Sequence, residues 1–257
     1  MDTITVPSGK KIYFSSDNHL GAPTAAESLP REKKFVRWLD HIKEDAEAIF
    51  LLGDLFDFWF EYNYVVPRGF TRTLGKLAEL TDSGIPVYYF VGNHDLWMRG
   101  YFEQELNIPV FHEPRMFDLN GKKFFIGHGD GLGPGDKGFK RMKKVFTSPL
   151  AQWLFRWLHP DLGVRMAQYF SVKNRLISGD EDVKFLGEDK EWLVQYARRK
   201  LAQQHYDYFV FGHRHLPLDI DLSDTSKYIN LGDWISYNSY GVFDGTSLSL
   251  EYFEKES

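Results

Sequence analysis

Gly84-Ile85-Pro86-Val87-Tyr88-Tyr89-Phe90-Val91-Gly92-Asn93-His94-Asp95 is the stretch on which the fold turns. Gly84-Ile85-Pro86 is a turn signal, and the next five residues are apolar strand formers. The run then stops at a glycine, followed by an amide, an imidazole and a carboxylate. Alone, such a tetrapeptide is an ordinary turn, since Gly, Asn and Asp all favour turns. The same arrangement recurs four more times, however. Ile12-Tyr13-Phe14 leads into Ser16-Asp17-Asn18-His19, and Ala48-Ile49-Phe50-Leu51-Leu52 into Gly53-Asp54-Leu55-Phe56-Asp57. Lys123-Phe124-Phe125-Ile126 leads into Gly127-His128-Gly129-Asp130, and Tyr208-Phe209-Val210-Phe211 into Gly212-His213-Arg214-His215. Loops beyond the carboxyl ends of parallel strands converge on one crevice. Five polar clusters at five such ends therefore predict a single site.

Working outward, apolar runs alternate with helical patterns, so the chain reads as α/β. Asn120-Gly121 before Lys123 is a hairpin signal. Further strands are expected at Lys227–Leu231 and Leu248–Tyr252. Helices are expected over Arg31–Lys43, where Phe35, Trp38, Leu39 and Ile42 share a face, and over Thr71–Thr81 and Asp189–Gln204. Residues 138–176 have helical patterning and no strand candidate. They read as a helical insertion on the edge of one domain spanning residues 1–257.

Hydrophobic residues make up 43% of the 257 and charged residues 26%, the balance of a globular chain. The net charge of -5 argues against a general nucleic-acid binder. There is no cysteine, which excludes disulfides and thiolate metal sites. The N-terminal residues lack a basic and apolar leader pattern, and no run is long enough to span a bilayer, so a cytoplasmic location is expected. Aromatic residues reach 17%, enough that some are expected outside the core, at an apolar binding surface.

Carboxylates, an amide oxygen and imidazoles suit divalent cations. Two such ions about 3.5–4 Å apart can clamp a phosphoryl group and generate a nucleophile from water. Gly53, Gly92, Gly127 and Gly212 each precede a candidate ligand, where tight turns and close backbone approach are needed. His41, His112, His159 and His205 lie outside the clusters and read as ordinary surface or core residues.

The five motifs together resemble the calcineurin-like metallophosphoesterase superfamily, with its D-x-H, G-D, G-N-H-D/E, G-H and G-H-x-H pattern. The resemblance runs from Asp17 to His215. It implies a four-layer αββα sandwich of two mixed sheets with the helical cap as an insertion. It also implies that Asp17, His19 and His215 bind one metal, that Asn93, His128 and His213 bind a second, and that Asp54 bridges them. His94 would contact phosphate as the catalytic group, oriented by Asp95.

Gly53-Asp54-Leu55-Phe56-Asp57-Phe58-Trp59, and His128-Gly129-Asp130 followed by Asp136 and Phe139, are similar to the UDP-2,3-diacylglucosamine pyrophosphatases of the lipid A pathway. That resemblance implies water cleaving a pyrophosphate to UMP and 2,3-diacylglucosamine 1-phosphate, with the insertion as an acyl-binding cap. Asn93, His94, Asp136, Phe139, Trp153 and Phe155 become the candidate substrate contacts. It also implies two divalent ions, Mn²⁺ foremost and Fe or Zn as alternatives. The partner would be a nucleotide-linked acylated sugar, with peripheral contact to the inner membrane and no nucleic-acid or identifiable protein partner. The insertion's residues point the same way: the basic run Lys137, Lys140, Arg141, Lys143, Lys144 precedes Leu150, Trp153, Leu154, Phe155, Trp157 and Leu158, a pairing that suits an anionic lipid. The competing reading of that pattern is a helix packed on its own domain. One position departs from the pyrophosphatase pattern, which usually has Arg after the Asn where this chain has His94. The alternatives are a broad phosphodiesterase or nucleotide phosphatase and, from another class, a scaffold with a vestigial metal site.

Overall fold

In the central strands both faces are apolar, and the fold uses both. The computed structural model describes residues 1–133, 137–167, 169, 184–185 and 187–254, with backbone only at 137–139. In β2 (Lys11–Ser15), Ile12 and Phe14 face one core and Tyr13 another. In β3 (Ala46–Leu51), Ala48 and Phe50 oppose Ile49 and Leu51 in the same way. Strands covered on both sides read as unbroken apolar runs, which is why the sequence reveals them.

The first sheet has six strands in the order β12 (Leu248–Tyr252), β11 (Ser239–Phe243), β2, β3, β4 (Val87–Phe90), β5 (Val110–Phe111). The second, also of six, runs β1 (Asp2–Ile4), β6 (Arg115–Leu119), β7 (Lys122–Ile126), β8 (Tyr208–Phe211), β10 (Ser226–Leu231), β9 (Pro217–Ser223). Both are mixed: β2 to β5 are parallel, β11 runs against β2 and β12 against β11, and β7, β8 and β10 are parallel while β6 and β9 run against them. Phe14, Phe50 and Phe90 from one sheet and Phe117, Phe124 and Ile126 from the other fill the space between. Phe14 stacks on Phe50 at 5.2 Å and on Phe124 at 6.0 Å. Helices α1 (Ala25–Ile42) and α2 (Thr71–Asp82) cover the outer face of the first sheet. Helix α7 (Trp192–Leu201) covers that of the second. The result is the expected α/β/β/α layering, and most of the aromatic residues are spent on it.

Two departures from the sequence expectation have plain causes. Helix α1 begins six residues early, at Ala25, and carries Pro30 inside it. Thr24 caps the helix, its hydroxyl oxygen accepting from the Glu27 amide and its hydroxyl donating to the Glu27 carboxylate, and that starts the helix ahead of the proline. Strands β1, β5, β6, β9 and β11 lack the long apolar runs of the others. Of these, β1, β5 and β9 sit at sheet edges, where only one neighbour and one buried face are needed. The Asn120-Gly121 signal holds: both residues have positive φ and join β6 to β7 with Leu119 opposite Lys122.

The chain also forms α3 (Tyr101–Glu105), between β4 and β5, and the helical segment α4 (Lys137–Phe146), α5 (Pro149–Arg156) and α6 (160–167), between β7 and β8. Residues 168 and 170–176 of the expected 138–176 insertion lie outside the described residues.

Candidate metal centre

The five clusters do meet, at the carboxyl ends of β2, β3 and β4 in one sheet and β7 and β8 in the other. Backbone hydrogen bonds tie their loops together. Asp17 N donates to Gly53 O (3.1 Å), His19 N to Asp54 O (2.8 Å) and Gly212 N to His128 O (2.9 Å). Asp17, His19, Asp54, His213 and His215 all adopt positive φ, five of the ten non-glycine residues described that do so. Asp and His tolerate that region better than bulky residues, yet each such residue costs about 1–3 kcal/mol. The strain turns alternate side chains of Asp-x-His and His-x-His into the crevice. Two glycines matter by absence of a side chain. A Cβ on Gly92 would strike the Asp54 carboxylate, and one on Gly212 the Asp17 carboxylate.

Three groups of ligand atoms result, Asp17, His19 and His215, then His19, Asp54 and His94, then Asp54, His128 and His213, the atoms of each group within 4.8 Å of one another. Asp54 belongs to the last two, its Oδ2 lying 3.8 Å from His19 Nε2 and 3.3 Å from His128 Nε2. Asn93 Oδ1 lies 3.2 Å from His128 Nε2. His19 Nε2 and His215 Nε2 point at each other across 3.2 Å, and Asp17 Oδ1 is buried with no hydrogen-bond donor among the described residues. Converging lone pairs and an orphaned carboxylate oxygen are what a cation would satisfy, so these residues fit divalent metals of the hard-to-borderline kind.

The electrostatics divide the imidazoles. Burial pushes the His19 imidazole down to about 3, against the opposing carboxylate of Asp57. Burial also holds His213 well below its ordinary value, helped by the charge on His128. Neutral imidazoles are the ligand form. Burial opposes charge on His128 too, but Asp54, with Asp17 and Asp130 behind it, raises that ring to about 10. Burial resists the Asp54 anion, yet His128 and His94 hold the carboxyl well below the usual range. Asp17 is raised by burial against the pull of His215.

An outer shell fixes the rings. His128 Nδ1 donates to Leu52 O (2.6 Å), which leaves Nε2 facing Asp54. His215 Nδ1 lies 3.3 Å from Asp233 Oδ2, while Asp233 Oδ1 accepts from the amides of Ile235, Ser236 and Tyr237. Asp57 Oδ1 sits 3.6 Å from His19 Nδ1 and 3.5 Å from His94 Nδ1. His94 Nδ1 also donates to Asp57 O (3.0 Å). Here the sequence expectation needs correction, because it gave the orienting part to Asp95. That carboxylate accepts instead from the amides of Gly92 (2.8 Å) and Leu55 (3.1 Å) and from the Tyr89 hydroxyl. Asp95 locks the loop, and Asp57 orients the ring. Asp233 was missed altogether. Its signal was present, since Asn230-Leu231-Gly232-Asp233 repeats the strand-Gly-Asp arrangement of Leu51-Leu52-Gly53-Asp54.

The helical segment borders this crevice. Lys143 of α4 pairs with the buried Asp130 at 2.6 Å. Trp97 Nε1 donates to Phe146 O (2.7 Å). The two insertion residues singled out from sequence part company. Phe155 packs at 4.7 Å on both Phe60 and Trp97, whereas Trp153 is 52% exposed and meets Trp157, itself 75% exposed, edge-on. Leu150 and Leu154 are exposed beside them, and α5 has no buried residue. The apolar pattern of α5 is therefore not that of a core helix. Asp136 and the Phe139 side chain lie outside the described residues.

Against known proteins, the sequence profile described as Calcineurin-like phosphoesterase matches residues 10–217. A protein of Porphyromonas gingivalis called UDP-2,3-diacylglucosamine hydrolase is 42% identical over 95% of this chain and 98% of its own length. One of the same name from a Shewanella species is 29% identical over 89% and 91%. Among solved structures, a Vps29 from Entamoeba histolytica superposes with a TM-score of 0.47 at 11% identity, covering 96% of this chain and 94% of its own.

Proposed function

The chain belongs to the calcineurin-like phosphoesterase family, and from that premise we propose that this metal-dependent hydrolase cleaves the pyrophosphate of UDP-2,3-diacylglucosamine. Water adds to one phosphorus, the bridging P–O bond breaks, and UMP and 2,3-diacylglucosamine 1-phosphate leave. The observation that carries the reading is the set of three ligand groups, two of which contain Asp54, beside helices whose apolar side chains face outward. The name of the 42% identical relative supports the choice of substrate.

In this reading Asp17, His19 and His215 hold one ion, Asn93, His128 and His213 the other, and Asp54 both. Mn²⁺ is the ion expected, with Fe or Zn as alternatives. Bound ions would polarise the phosphoryl oxygens and ease deprotonation of water. The chain's own part is to hold and to donate. Because Asp57 O can only accept, His94 Nδ1 keeps its proton there, and Nε2 of this 21% exposed ring is the nitrogen assigned to the substrate. Protonated, that nitrogen donates to the phosphate or to the departing oxygen. Residues 138–176 form the cap of a single domain covering 1–257. Trp153 meets the acyl chains, joined by Phe155 at the seam and by Asp136 and Phe139. The exposed Leu150, Leu154 and Trp157, next to the basic run of α4, suit peripheral contact with an anionic bilayer from the cytoplasmic side. Among the described residues no helix is long and apolar enough to cross a membrane.

Product analysis of the purified Mn²⁺-loaded protein on UDP-2,3-diacylglucosamine is the test, with UMP and the 1-phosphate expected. His94 in place of the arginine of the pyrophosphatase pattern favours the second reading, a broader phosphodiesterase. Equal turnover of acylated and deacylated substrates would select it.

A further inference from the structure

Helix α5 turns two faces in different directions. Trp153, Leu154 and Trp157 are exposed, whereas Gln152, Phe155 and Arg156, spaced as neighbours on one helical face, are half-buried against the base. Phe155 fills the aromatic pocket of Phe60 and Trp97. On one side of it Gln152 accepts from Arg99, which lies in the same β4–α3 loop as His94. One turn on from Gln152, Arg156 has a buried Nε with no acceptor among the described residues. On the other side, a Cβ on Gly163 would meet both Phe155 and the Tyr62 hydroxyl, so the hydroxyl is part of this seam. It too is buried without a partner among the described residues. Arg99 and Arg156 are close enough that, after burial, the Arg156 charge is the main influence disfavouring the Arg99 cation; Glu61 opposes it.

Buried donors are normally matched by acceptors, and two guanidiniums repel unless something negative lies between them. Glu61 does not meet the need, since its carboxylate is taken up by Trp59 Nε1 and the amides of Gly100 and Tyr101. Planar N–H forks and a hydroxyl match the tetrahedral oxygens of a phosphate. A pyrophosphate diester carries one negative charge on each phosphorus, and the metal ligands serve one of them.

We propose that Arg99, Arg156 and the Tyr62 hydroxyl form a second oxyanion subsite at the seam between α5 and the base, taking the phosphate of the substrate that water does not attack. It rests on the pyrophosphate reading above. The same donors would take free inorganic phosphate, and the experiment separates the two sources. With metal-loaded full-length protein, kcat/KM is measured on UDP-2,3-diacylglucosamine and on bis-p-nitrophenyl phosphate, which has one phosphate. The ratio of the two should fall about tenfold in Arg156→Gln and further in Arg99→Gln/Arg156→Gln, mainly through KM. Arg156→Lys should recover part of it. Calorimetric titration with inorganic phosphate should show one binding event fewer in the double variant than in the wild type. A lost event with an unchanged ratio assigns the subsite to free phosphate and overturns the substrate assignment. A lost event in a protein whose wild type does not cleave the UDP-linked substrate upholds the subsite and removes the pyrophosphate reading instead. An unchanged ratio with an unchanged titration overturns the proposal outright.

Discussion

The floor of the crevice and the helices at its rim were built by opposite rules. On the floor Asp17, His19, Asp54 and His128 are all at most 3% exposed, each held by backbone hydrogen bonds or an outer-shell carboxylate. At the rim α5 buries none of its residues fully and turns its tryptophans to solvent. A buried polar group tolerates one partner set and one residue type, so the floor is over-determined. An exposed apolar face tolerates many sequences, and its composition records what it meets rather than what it supports. In the proposed function, chemistry sits on the over-determined part and recognition on the permissive part.

Substitutions that respect or violate this division can break the comparison. The largest effect is expected from Asp54→Asn. Removing the charge shared by two of the ligand groups should bring turnover to background, a loss beyond about 10⁴-fold, with the fold intact. Steady-state kinetics with circular dichroism decides, and a folded variant near wild-type activity would remove Asp54 from the centre. His94→Ala should keep both metals, counted by elemental analysis, while kcat falls about 10²–10⁴-fold. Metal loss would make His94 a ligand rather than a donor. Next comes Asp233→Asn, which deprives His215 of its anionic partner. Metal affinity should drop about 10–100-fold, as outer-shell changes do, with little change in kcat at saturating metal. Titration with Mn²⁺ measures it, and unaltered affinity would show that the backbone alone orients His215.

The smallest effects are expected at the rim, where they sharpen the contrast. Phe155→Ser should cost about 1.5–3 kcal/mol in denaturant unfolding, because that ring fills the pocket against Phe60 and Trp97. Trp153→Ser should change stability by no more than about 0.5 kcal/mol while raising KM for the acylated substrate alone. Equal destabilisation by both would make α5 an ordinary packed helix.

Legibility followed the same division. The five strand-end clusters could be read because metal coordination restricts residue type to Asp, Asn and His and places each after a strand. Asp57 and Asp233 were harder, since an outer-shell carboxylate has no fixed spacing from the ring it serves, although Gly232-Asp233 repeated the pattern. The role of Asp95 was misplaced because adjacency along a turn says little about where a carboxylate points. Its actual partners, Leu55 and Tyr89, come from another loop and from the strand before it.

The sequence by itself determined the α/β class, the order of the polar clusters and the identity of the residues that meet in the crevice. These depend on local periodicity and on chemical type, both written in the chain. Tertiary structure alone decided that the clusters are divided between two sheets. It alone decided that Phe155 turns inward while Trp153, two residues away, turns out. Which face of a helix is buried depends on what the rest of the chain brings against it. In α5 the spacing of Leu150, Trp153, Leu154 and Trp157 marks an apolar face, and it is this face that the structure leaves exposed.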